Sequence, residues 1–94
     1  MVIIILLNFN KLGDEVEIVS ETYADGSIYE GQKKNGLRHG KGKFYYSDGG
    51  MYHGDWFAGS MEGYGILYYA GGSKAYEGEW KDDKKHGYGE YWWP

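Results

Sequence analysis

The sequence predicts an all-β chain, a single-layer elongated antiparallel meander of stacked β-hairpin repeats. Three observations carry that prediction. A short motif recurs three times at a near-constant interval, each copy has the turn and strand chemistry of a hairpin, and Tyr, Trp and Gly abound. The 94 residues include 17 Gly, 11 Tyr, 4 Trp and 3 Phe, with 1 Pro. So many large rings exclude a disordered glycine-rich chain, which lacks the apolar surface needed to offset the entropy of ordering. Tyrosine and tryptophan favour strands, and glycine favours tight turns.

The first element is the apolar run Val2–Leu7. It is far shorter than the roughly 20 residues of a membrane-spanning helix. No base precedes it, and Asn8 and Asn10 follow closely, which is not the pattern of a signal peptide. It reads as a strand that must be paired or capped, because an uncovered run of this kind aggregates. Residues 1–21 are therefore assigned as an N-terminal strand-like segment, and 22–94 as the repeat array.

The array opens with a half-repeat at 22–28, where Tyr23-Ala24-Asp25-Gly26 matches Tyr46-Ser47-Asp48-Gly49 at a spacing of 23. Upstream the pattern fails, since Val19 stands where Gly42 predicts glycine. Full repeats follow at 29–51, 52–75 and 76–94. Tyr29-Glu30-Gly31 recurs as Tyr52-His53-Gly54 and Tyr76-Glu77-Gly78, and Gly40-Lys41-Gly42 as Gly63-Tyr64-Gly65 and Gly87-Tyr88-Gly89. Within each repeat the interval from the Y-x-G glycine to the last G-x-G glycine is 11. The one extra residue of the longer spacing thus falls between repeats, within Gly71–Ala75, and is expected in a turn.

Each repeat reads as a hairpin. Tyr29 to Lys34 alternates and ends at Asn35-Gly36, a strong two-residue turn signal. Lys41 to Tyr46 reads as the returning strand. Gly36 has its counterpart in Gly59 and then in Asp83, a residue that tolerates the left-handed region. Glycine inside a strand weakens it. Its recurrence beside Tyr29, Tyr52 and Tyr76 is explained if each ring lies flat across a glycine, burying apolar surface without a second layer. Trp56 and Trp80 occupy the next position on that face, where the first repeat has Lys33.

The motif Tyr-x-Gly-x-x-x-x-Gly-x-x-x-Gly-x-Gly at this spacing resembles the membrane occupation and recognition nexus (MORN) repeat. Asp83, Lys33 and the segment 1–21 depart from the family pattern. The resemblance implies an elongated single-layer sheet that acts as a scaffold or protein-interaction module. Similar proteins occur in ciliary radial spokes, in protist cytoskeletons, at membrane junctions and attached to lipid kinases, and several form homodimers. The resemblance implies no catalytic residue and no cofactor.

Other function classes are weaker. No cysteine, nucleophile elbow or paired-carboxylate spacing is present. His39, Glu62 and His86 are aligned, but equivalents two strands apart lie about 10 Å from one another. Metal ligands must sit about 2 Å from the ion. Gly40-Lys41-Gly42 lacks the following helix of a phosphate loop. A net charge of −4 opposes nucleic-acid binding.

The expected function is a non-catalytic scaffold presenting an aromatic sheet face to proteins, either a second copy or subunits of a larger assembly. Tyr29, Tyr52, Trp56, Tyr76, Trp80 and Trp92 are the candidate contacts, with Trp56 and Trp80 foremost because tryptophan anchors interfaces. The resemblance alone implies an intracellular, cytoskeletal setting, with a cilium or flagellum and its axoneme as one instance. The alternative is a peripheral membrane module. Lys33, Lys34 and Arg38 at the first turn, and Lys81, Lys84 and Lys85 at the third, would then meet anionic headgroups.

Overall fold

The computed structural model describes the backbone of residues 3–6 and all of residues 16–94. Among the described residues, eight strands form one antiparallel sheet whose spatial order is the sequence order. They are β1 (Ile3–Leu6), β2 (Val16–Thr22), β3 (Ile28–Lys34), β4 (Leu37–Tyr45), β5 (Met51–Phe57), β6 (Ser60–Tyr68), β7 (Lys74–Lys81) and β8 (Lys84–Tyr91). The longest dimension, 40 Å, is what eight strands at about 4.8 Å give. The described part of the first apolar run is β1, which pairs with β2. Val2, Leu7, Asn8 and Asn10 lie outside the described residues.

The returning strand starts earlier than the sequence suggested, at Leu37 rather than Lys41. The reason is the compactness of the turn. Asn35 and Gly36 both have positive φ (53° and 81°), as do Ala58 and Gly59 (48° and 96°) and Asp82 and Asp83 (51° and 67°). Two positive-φ residues make the tight loop whose twist matches its flanking strands. These tips are also stitched to the preceding hairpin. The Gly59 N–H donates to the Arg38 carbonyl at 2.9 Å, and the Asp83 N–H to the Met61 carbonyl at 3.2 Å. Asp83 adds a bond that glycine could not, because its Oδ1 accepts the Met61 N–H at 2.8 Å.

At the opposite end three loops share one form. The N–H groups of Tyr23, Tyr46 and Tyr69 donate to the carbonyls of Ser27, Gly50 and Ser73 at 2.9, 2.9 and 2.8 Å. Asp25 and Asp48 accept the N–H of the residue two positions on, each at 2.9 Å. Since the third loop is unchanged, the extra residue is not in it. Tyr68 pairs with Lys74 and Leu67 with Tyr76, so Ala75 is a β-bulge just after the loop. The extra residue falls within the expected span Gly71–Ala75, but in a strand bulge and not in the turn. A bulge accommodates one unpaired residue inside a ladder.

The core lies on one face. A row of register partners crosses the sheet as Val19, Gly31, Gly42, Gly54, Gly65, Gly78 and Gly89. The adjacent row on that face runs through Glu21, Tyr29, Phe44, Tyr52, Leu67, Tyr76 and Tyr91. The phenols of Tyr29, Tyr52 and Tyr76 pack onto Gly42, Gly65 and Gly89, where a Cβ would collide with the Cε1, Cζ and hydroxyl atoms of each. Each hydroxyl then donates to the backbone carbonyl three residues on: Tyr29 to Gln32 (2.6 Å), Tyr52 to Asp55 (2.8 Å) and Tyr76 to Glu79 (2.9 Å). Those acceptors sit at bulges between β3 and β4, β5 and β6, and β7 and β8.

The first glycine of each G-x-G has a different reason. Gly40, Gly63 and Gly87 have φ of 72°, 112° and 61°. Beside them the side chains of Gln32, Asp55 and Glu79 accept the N–H of Lys41, Tyr64 and Tyr88 at 2.8, 2.8 and 3.4 Å. A Cβ on any of these glycines would collide with that side-chain oxygen.

Two predictions follow from this geometry. Gly65→Ala forces a methyl into the Tyr52 ring and is expected to cost about 2–3 kcal/mol. Gly71→Ala, where a Cβ meets nothing within 4 Å, should stay within about 0.5 kcal/mol of the parent. Urea unfolding of both variants checks the contrast. Ala58, an alanine at φ 48°, is strained, so Ala58→Asn should stabilise by up to about 1 kcal/mol. Calorimetry should then show Tm rising by about 4–8 °C at most.

Candidate interaction face

The aromatic face is built as an alternating ladder. Ring centroids lie 5.4 Å apart for Tyr29 and Trp56, 5.3 Å for Trp56 and Tyr52, 5.1 Å for Tyr52 and Trp80, and 5.3 Å for Trp80 and Tyr76. All four contacts are edge-to-face, the favoured geometry for quadrupolar rings. Each indole N–H is also used, Trp56 donating to the Gly42 carbonyl and Trp80 to the Gly65 carbonyl, both at 3.1 Å.

This placement corrects one expectation. Trp56 and Trp80 are each only 5% exposed, and Tyr29, Tyr52 and Tyr76 are buried. Five of the six candidate contact rings therefore form the core and do not present an open surface. Close packing of each tryptophan between two tyrosines on the glycine row removes both from water. Trp92 is the exception at 38% exposed. Its N–H donates to the Ala75 carbonyl and its carbonyl accepts the Tyr69 hydroxyl, while Lys74 lies 5.3 Å over its ring.

One groove on this face has a volume of about 620 Å³. Tyr46, Met61, Leu67, Trp80 and Tyr91 give it apolar walls, and Asp48, Asp83, Lys84 and Lys85 border it. Burial foremost, then the charges of Asp83 and Asp48, push the Tyr46 phenol above its ordinary pKa. Sequence reasoning named Tyr46 and Asp83 only as repeat and turn positions, and proposed none of Tyr46, Met61, Leu67 or Asp83 as a contact. Their repeat positions were visible, but nothing marked them as the part of the face left uncovered.

At the first repeat, where tryptophan is absent, a charged network fills the place. Lys33 donates to Glu21 Oε2 at 2.7 Å, Tyr23 to Glu21 Oε1 at 2.6 Å, and Arg38 to the Tyr23 hydroxyl at 2.9 Å. The Arg38 guanidinium lies 4.9–5.4 Å from the rings of Phe44, Tyr29, Trp56 and Tyr23. Two of the proposed lipid contacts, Lys33 and Arg38, are thus committed to the fold. Lys34 is half-buried at the end of β3. Lys81, Lys84 and Lys85 are exposed at the third tip, with Lys85 stacked over Tyr76 and Tyr91 at 5.3 and 5.2 Å. The two basic turns are not equivalent.

On the opposite face Tyr64 donates to Glu77 at 2.5 Å, a bond that pushes its phenol up to about 12. No described helix is long and apolar enough to cross a membrane.

Comparison with known families matches residues 29–51, 52–74 and 76–94 to the MORN repeat. The match covers more than half of the chain, and the chain belongs to the MORN repeat family. The repeat is a non-enzymatic module that generally mediates protein or membrane interaction. No curated protein matches the chain.

The Glu21 network sets a pH dependence. Burial works to raise the Glu21 pKa, but hydrogen bonds from Lys33 and Tyr23 and the charges of Lys33 and Arg38 outweigh it. The net shift is downward from 4.5. Ionised Glu21 therefore adds stability that is present above the unfolded value and is lost as pH falls through the lowered folded value. Glu21→Gln should cost about 1–3 kcal/mol at neutral pH. Urea midpoints of the parent and the variant should converge as the pH is taken below that range.

Proposed function

We propose that this member of the MORN repeat family is a non-catalytic scaffold that docks protein partners in the groove of its aromatic face. The observation that supports this reading is the groove itself, an apolar concavity of about 620 Å³ built on a rigid ladder of buried rings. Rigid walls reduce the ordering cost of binding. The apolar lining supplies burial free energy, and the bordering charges orient a partner. Tyr91 on the groove wall is 64% exposed, and Trp93, two residues on, is 91% exposed.

The setting we propose is intracellular and cytoskeletal, with a cilium or flagellum as one instance, on the strength of the family resemblance. The partner is a subunit of a larger assembly or a second copy. A lipid-binding reading is less well supported, because Lys33 and Arg38 are engaged within the sheet. Only the third tip, with Lys81, Lys84 and Lys85, offers exposed members of the proposed lipid set.

A photo-crosslinking amino acid placed at Ala70, an exposed groove position, tests the reading in source cells. The same probe at His53, exposed on the opposite face, is the control. A discrete protein adduct from position 70 alone is expected, in a detergent-insoluble fraction. Adducts to lipid, or detergent release that is lost on charge reversal of Lys81, Lys84 and Lys85, would overturn it.

A further inference from the structure

The aromatic face repeats a related cage along its length, and the residue at the centre of the cage changes from repeat to repeat. Arg38, Met61 and Lys85 are equivalent, each pairing with the residue two positions after the Y-x-G glycine: Lys33, Trp56 and Trp80. In the first cage Arg38 sits among Tyr23, Tyr29, Phe44 and Trp56. In the third, the Lys85 ammonium lies over Tyr76 and Tyr91. The repeat spacing gives the middle cage Tyr46, Tyr52, Leu67 and Trp80, but its central residue is the neutral Met61.

The middle cage also differs in charge. Its tip residue is Asp83, where the first cage has Gly59. Asp83 and Asp48 each use one oxygen, Oδ1, on a backbone N–H, of Met61 and of Gly50 respectively. Neither carboxylate makes an ion pair among the described residues. Both border the groove beside Tyr46, and their charges act on its phenol against the opposing charge of Arg38. Arg38, on the first-repeat side, is held by the Tyr23 hydroxyl. On the other side Lys85 is held over its own rings, and Lys84, exposed at the groove border, pairs with neither carboxylate among the described residues.

We propose that the middle-repeat groove takes an arginine side chain from a partner protein. Its guanidinium would stack on the aromatic wall and reach the unused oxygens of Asp48 and Asp83. The inference rests on the reading of the groove as a partner site and names the partner's chemistry. A guanidinium suits the site because it is planar, stacks on rings and presents forked donors to carboxylates. A choline headgroup shares the cation-on-ring attraction but has no donor for the carboxylates.

The probe is a blocked hexapeptide of alternating arginine and alanine, titrated into the full chain while the Trp80 indole N–H is followed by NMR. A matched glutamate–alanine peptide and phosphatidylcholine vesicles are the comparison arms. Saturable shifts with the arginine peptide alone are expected. Met61→Arg, which fills the cage from within as Arg38 does in the first repeat, should abolish them while thermal unfolding shows the fold intact. Asp48→Asn with Asp83→Asn keeps both backbone acceptors and should weaken binding about tenfold by removing the charges. This second variant keeps the test decisive if Met61→Arg does not fold. Equal binding of the glutamate peptide, or unchanged binding by the asparagine pair, would overturn the cation assignment while leaving the groove as a partner site. Vesicle binding without peptide binding would overturn the protein source. Absence of binding by every probe would overturn this inference but not the crosslinking result, which reads the native partner.

Discussion

The whole structure depends on a tyrosine ring packed down onto a glycine. A single sheet has no second layer to exclude water from its face, so burial must come from side chains folded down onto neighbouring backbone. That requires a position without a Cβ beneath each ring, which Gly42, Gly65 and Gly89 supply. It also requires a partner for the phenol once the ring is down, and the carbonyls at Gln32, Asp55 and Glu79 provide it. The hydroxyl can reach those carbonyls because the strand bulges there. The glycines, the bulge and the interval between them are thus consequences of one contact. The tryptophans complete it, covering the tyrosine edges and satisfying the G-x-G carbonyls.

Departures from the repeat are informative because the contact tolerates only certain replacements. At the first repeat no tryptophan follows Gly31, and the space is filled by Lys33, Glu21, Tyr23 and Arg38 instead. A buried carboxylate is costly unless it is paired and fully hydrogen-bonded, and here both Glu21 oxygens have donors. Val19, 2% exposed, closes the glycine row with a side chain at the first place where the repeat pattern fails. The Ala75 bulge absorbs an extra residue without moving Tyr76 off the tyrosine row, because Leu67 and Tyr76 remain partners.

The repeat, its hairpins, the tight tips and the ring-on-glycine packing were legible in the sequence, since each depends on residue types that have few substitutes. The burial of Trp56 and Trp80 was not. A tryptophan on a one-layer sheet looks like a free anchor until the adjacent repeats are brought within about 5 Å, and that distance is a property of the assembled ladder. The residues that support Gly40, Gly63 and Gly87 were equally hidden. Gln32, Asp55 and Glu79 share no identity, only an oxygen at a similar reach. The basic residues of the first turn were visible as charge, but their engagement with Glu21 and with four rings depends on which neighbours fold beside them.

A sheet in which each repeat touches only its neighbours separates stability from recognition. The tyrosine, the glycines and the tryptophan are held by the packing contact and cannot vary freely. The residue at the centre of each cage is not so held: arginine, methionine and lysine occupy it in turn at 38, 61 and 85. The tip residues at 36, 59 and 83 vary as well, within the limit set by a positive φ. Recognition can therefore differ from one repeat to the next without disturbing the ladder beneath. In this chain a groove falls where the neutral cage centre of the second repeat, Met61, meets the acidic tip of the third, Asp83. The surface a partner meets is thus set by the two positions that the ring-on-glycine contact leaves unconstrained.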